Sequence, residues 1–146
     1  MVWRRLALAV AAACLVSGPV TAQPEARKHV ALEILVAHIS DAPGGIDPRA
    51  GELDRKLSAQ FRYASLRVLD QRHLDLPLQT IESLDLPNGR RFQVRPLQLS
   101  ARGVLLALTV QGTLRTDMRV PNGHLVVIGA ERFEDGKLVI SLKPSW

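Results

Sequence analysis

The chain has 146 residues, 47% of them hydrophobic and 23% charged, with 19 basic against 14 acidic side chains and a formal net charge of +5. Arg4 and Arg5 supply two of those charges, and the remaining excess of +3 is spread among acids, which excludes the dense basic face that nucleic-acid binding requires. Cys14 is the sole cysteine, so the chain beyond it has no disulfide, no thiol nucleophile and no cysteine metal ligand.

The first element is a targeting segment. Arg4 and Arg5 precede an apolar run, Leu6 to Val16, and a small-residue stretch that ends Val20-Thr21-Ala22. The run is about half the roughly 20 residues a membrane-spanning helix needs. This three-part pattern predicts a secretory signal over residues 1–22, cleaved after Ala22, and therefore a periplasmic or extracellular protein with no transmembrane helix in the mature chain. Residues 23–28, with Pro24, read as a flexible arm. An alternative attaches to Ala11-Ala12-Ala13-Cys14, which resembles the lipobox of bacterial lipoproteins but carries Ala11 where leucine is usual. It implies a lipoprotein anchored at Cys14.

Residues 29–146 are predicted to form a single β-rich domain. From His29, the residues Val30, Leu32, Ile34 and Val36 share one face of an extended segment, while Leu35, Ala37 and Ile39 share the other. A strand apolar on both faces is a central strand. Ser40 to Gly45 breaks it, and Asp47-Pro48 supplies an N-cap and a first helical residue. Ala50, Leu53, Leu57 and Phe61 then recur at helical spacing, predicting one amphipathic helix near residues 48–61. The first strand, this helix and the following strand can form a crossover, right-handed if parallel.

After Tyr63 the pattern is strand throughout, and Pro77 ends or edges one of the strands. Pro87-Asn88-Gly89 and Pro121-Asn122-Gly123 are strong turn signals, because proline presets the first turn angle and Asn-Gly tolerates positive φ. They head two stretches, 86–110 and 120–144, that align at an offset of 34 without a gap. Each stretch reads strand, turn, strand, turn, strand, which predicts an antiparallel meander. Between them, Leu114, Thr116, Met118 and Val120 alternate with Arg115, Asp117 and Arg119, the mark of a strand with one wet face. The fold class that follows is mostly β or α+β, an antiparallel sandwich or open barrel of about seven to eight strands with one helix packed on it.

No catalytic or metal-binding constellation is local in the sequence. His29, His38, His73 and His124 have no ligand partner at diagnostic spacing, and no serine occupies a Gly-x-Ser-x-Gly turn, so neither catalytic residues nor cofactors are assigned. Glu33 is the lone charge in the first strand. Asp41 and Asp47 flank a glycine-containing loop between strand and helix, where ligand sites often form, yet the loop lacks the lysine and hydroxyl of a phosphate-binding loop. Arg90, Arg91, Arg95 and Arg102 cluster in sequence and read as a solvated basic face.

Thr113 to Ala130 resembles a local element of the secretin family of outer-membrane channels, a strand leading through a turn into an apolar strand of the type Asn-Gly then Val-Val-Ile-Gly. Asn122, Gly123, Val126, Val127, Ile128 and Gly129 carry the likeness, and Ala130 departs from the usual glycine. As a whole the chain resembles small exported proteobacterial proteins of unknown function. The expectation is an exported, non-enzymatic binding or envelope-assembly module. It would hold an envelope or secreted protein partner through a sheet edge and the face bearing Arg115, Asp117 and Arg119. The alternative is a small secreted hydrolase drawing on Glu33, Asp41, His38 or His124.

Overall fold

The computed structural model describes residues 28–146, so the predicted signal, Cys14, the Ala22 cleavage point and all but the last residue of the arm lie outside the described residues. In chain order the strands are β1 (His29–Ser40), β2 (Gly45–Ile46), β3 (Ser65–Pro77), β4 (Glu82–Asp85), β5 (Arg91–Ser100), β6 (Gly103–Val110), β7 (Leu114–Val120), β8 (Val126–Phe133) and β9 (Gly136–Ser145). A 3-10 turn, Pro48–Ala50, and helix α1 (Gly51–Leu57) lie between β2 and β3. Five strands form one sheet in the order β2-β3-β1-β9-β8, and four form another in the order β4-β5-β6-β7. Every pairing is antiparallel except the short one between β2 and β3.

The two-sided apolar pattern of β1 decides the layering. Val30, Leu32, Ile34 and Val36 face the second sheet and join Phe92, Val94, Leu106 and Leu108 in the main core. Leu35, Ala37 and Ile39 face the other way and meet Ala50, Leu53 and Leu57. β1 is thus central, between β3 and β9, with a sheet on one side and α1 on the other. Leu53 and Leu57 are buried, and each such burial contributes about 2 kcal/mol to holding the helix down.

The expected fold class, a mostly β, antiparallel sandwich or open barrel with one helix, holds, and its details differ at several points. First, the strands number nine among the described residues, because β2 and β4 are too short to show a period. Second, the α-helix covers only Gly51–Leu57 of the 48–61 span. The Ser58 amide closes its last turn on the Asp54 carbonyl, the Gln60 and Phe61 amides both turn back onto Leu57, and the Tyr63 hydroxyl donates to the Asp54 carboxylate at 2.6 Å. Those bonds reverse the chain toward β3. β1 and β3 are antiparallel neighbours, so no parallel crossover forms between them.

Third, the meander breaks between β7 and β8. Around the first turn Gly89 donates to Leu86 and Leu86 to Arg90, which closes the β4–β5 hairpin. At the second turn Gly123 donates to the Pro144 carbonyl, and the Asn122 side chain bonds both the amide and the carbonyl of Trp146. The turn is docked on the end of β9, so β7 and β8 enter different sheets. The repeated stretches become two equivalent hairpins, β5–β6 and β8–β9, on opposite sides of the core. In each, a glycine opens the second strand against a neighbouring carbonyl, Gly103 against Val120 and Gly136 against Ile39.

Candidate functional site

β7 is an outer strand of the four-stranded sheet. Its register with β6 runs from Val104↔Val120 to Val110↔Leu114 without a shift. The other outer strands differ: β2 has two residues, β4 has four, and β8 is interrupted by an irregularity between Val127 and Gly129. Bulges and shortness are ordinary ways of blunting a sheet edge, and β7 shows neither. Leu114, Thr116 and Met118 are half-buried toward the core, while Arg115, Asp117 and Arg119 are exposed on the outer face.

The outer face beside that edge is a trough of about 520 Å³. Ala107 forms part of its floor, Arg95, Arg115 and Asp117 its charged walls, and Ile81, 54% exposed, its far rim. Arg119 is braced by hydrogen bonds to the Ser100 hydroxyl at 2.8 Å and the Gly103 carbonyl at 3.4 Å. Arg115 and Asp117 form no ion pair among the described residues. The sequence supplied the three β7 side chains. It showed Arg95 only as part of a basic cluster and did not supply Ala107, and the β5–β6–β7 register is what sets Arg95 across Ala107 and Ala107 across Asp117.

A second cleft, about 620 Å³ and open, lies where β1 ends. The register Ser40↔Gly136 brings the β8–β9 turn over His38. The buried His38 Nε2 sits 3.2 Å from the Phe133 carbonyl and 3.2 Å from the Asp135 carboxylate, and its ring meets Phe133 edge-on. With Glu134, these groups place one imidazole nitrogen and two carboxylates within 4.8 Å, a donor set compatible with a borderline divalent cation. Both contacts fall on the same nitrogen, Nε2, which donates to the Phe133 carbonyl with the Asp135 carboxylate beside it. Glu134 has φ +51, a left-handed conformation costing a non-glycine residue about 1–2 kcal/mol. Sequence reading singled out His38 and missed its partners, because Glu134 and Asp135 lie nearly a hundred residues further along the chain.

The residues named for a hydrolase are not assembled. Ser40 lies in the cleft with His38 and Asp135, but its hydroxyl is hydrogen-bonded to Ser65 at 2.8 Å. Glu33 stands about 17 Å back along β1 and alternates to the helix-side face, while His124 is exposed in the turn that Gly123 ties to the far end of β9. Asp41 is exposed outside the cleft lining and Asp47 is within it. Asp47 caps the 3-10 turn, accepting from the Arg49 amide at 3.0 Å and from its guanidinium at 2.9 and 3.2 Å.

Those bonds, the guanidinium first, lower the Asp47 pKa from 3.8 to about 2. A carboxylate whose pKa is depressed by folding contributes stability that is complete above the unfolded value and disappears as pH falls through the folded one. The stability difference between the wild type and Asp47→Asn is therefore expected to be constant above about pH 5 and to shrink between pH 3.8 and about 2. Urea titrations across that range check this, and a difference that is unchanged at the acid end contradicts it.

Arg90 and Arg91 of the basic cluster are engaged, Arg90 with Glu131 of β8 in the other sheet at 3.4 Å and Arg91 with Asp85 of the neighbouring strand at 3.5 Å. No helix among the described residues is long and apolar enough to cross a membrane. Compared with protein families, with curated proteins and with solved structures, the chain finds no match.

Proposed function

We propose that the protein is an exported, non-catalytic assembly module that takes up an extended strand along β7. The observation carrying this reading is the regular, bulge-free outer edge of β7 beside a charged trough. Backbone groups on such an edge supply affinity by strand addition, and side chains on alternate positions supply selectivity. An incoming strand would set its outward side chains against Arg115, Asp117 and Arg119 and its inward ones beside Leu114, Thr116 and Met118. The chemistry this selects is acidic, basic, acidic at every second residue, with apolar residues between. Export is supported by the signal pattern of residues 1–22, and the non-catalytic reading by the separation of Glu33 and His124 from His38.

A fluorescent peptide of sequence Val-Glu-Val-Lys-Val-Glu-Val tests this by anisotropy against dilute protein. Cross-strand charge pairs are worth about 0.2–1 kcal/mol each, and reversal replaces attraction by repulsion at two positions. Arg115→Glu combined with Arg119→Glu is expected to weaken binding about tenfold. Equal binding by the wild type and the variant would show that the face is misassigned.

A further inference from the structure

The outer face of β7 is complementary to itself. We propose that the strand taken up by β7 is β7 of a second copy, which joins the two four-stranded sheets edge to edge about a two-fold axis. This rests on the reading that β7 accepts a strand.

The charges select the register. An axis through Asp117 opposes Asp117 to its own copy and Arg115 to Arg119, like against like throughout. An axis through Met118 sets Asp117 against Arg119, whose Nη1 is held by Ser100 and Gly103, and runs Arg115 against Pro121, which offers neither an opposite charge nor an amide to donate. An axis through Thr116 opposes Arg115 to Asp117 of the second copy, and by symmetry Asp117 to Arg115. These two side chains are exposed and form no ion pair within the described residues of one chain. On the inner face the same register brings half-buried Leu114 against Met118 of the second copy, so both lose the exposure they have at the edge. The register through Thr116 alone makes both faces favourable, and it needs no change in the backbone of β7.

This geometry allows an experiment in which folding defects cannot imitate the outcome. R115D alone opposes carboxylate to carboxylate, and D117R alone opposes guanidinium to guanidinium, so each variant is expected to self-associate at least about tenfold more weakly than the wild type. Mixed in equal amounts, the R115D and D117R chains face each other with opposite charges at both pairs. Sedimentation equilibrium should then recover the dimer mass in the mixture, with an affinity within about threefold of the wild type. The sites are exposed on one strand face, and recovery on mixing shows that both variants are folded.

A wild type that sediments as a single chain at the highest concentration reached overturns the self-partner. Binding of the Val-Glu-Val-Lys-Val-Glu-Val peptide then decides the underlying reading: retained binding leaves β7 as an acceptor of a different strand, and lost binding removes both. Single variants that dimerise as well as the wild type, or a mixture that stays monomeric, overturn the Thr116 register and with it this proposal.

Discussion

Phe92→Ala is expected to lower the unfolding free energy by about 4 kcal/mol, a large share of the roughly 5–15 kcal/mol that holds a typical domain together. Phe92 is the largest of the fully buried side chains and sits on β5 between Leu84 and Val110, facing the buried side of β1. Truncation removes the ring from the junction of both sheets, and regular strands on either side limit collapse into the space. Phe61 provides the comparison. It is only half-buried, outside the main core, with the Lys137 ammonium 4.6 Å from its ring centre. Its truncation is expected to cost about 1 kcal/mol. Urea denaturation of both variants measures the difference, and equal small losses would mean that the two sheets do not share the core described.

Gly136→Ala is the second large effect. A methyl group at Gly136 would overlap the Ile39 carbonyl, with the Ser40 Cα only 3.0 Å away, and backbone atoms cannot rotate aside as a side chain would. β1 and β9 must separate at the end where His38 meets the β8–β9 turn. The expected loss is about 3 kcal/mol, at the upper end for overpacking. Gly129 has open space around the same position, so Gly129→Ala is expected to be near neutral or slightly stabilising. If Gly136→Ala were as mild as Gly129→Ala, the close approach of β9 to β1 would be wrong. The matching contact of Gly103 with Val120 suggests why both repeated stretches place glycine at the start of their second strand.

These two sites also mark how far the sequence could be read. The central position of β1 was legible because burial on two faces leaves apolar residues at both parities, and the wet face of β7 because one solvated side leaves strict alternation. Asp47 was legible as a cap because its partner is two residues away. The helix was overextended because Phe61 keeps the helical spacing, although it is placed by a reverse turn after Leu57. Pairing across the fold left no local trace. The Pro-Asn-Gly turns look alike, yet one closes a hairpin and the other ties β7 to the end of β9, and the decision rests with Asn122 and Trp146. The cluster of His38, Glu134 and Asp135 depends in the same way on the β1–β9 register.

Charge on β7 was legible, whereas its edge position was not. Alternation states which side chains are wet and is silent on whether another strand lies alongside. Topology adds that β7 pairs with β6 and has no second strand neighbour among the described residues. The proposed strand addition rests on that combination of exposed charge and outer position.

Amide hydrogen exchange, resolved along the chain and measured on dilute protein with and without saturating Val-Glu-Val-Lys-Val-Glu-Val peptide, tests strand uptake most directly. Uptake along β7 predicts slowed exchange confined to residues 114–120, with β8 and the cleft around His38 unchanged, since new backbone hydrogen bonds form only on the edge that accepts the strand. Exchange in β7 that is indifferent to the peptide, or slowing that appears on β8 instead, would contradict it.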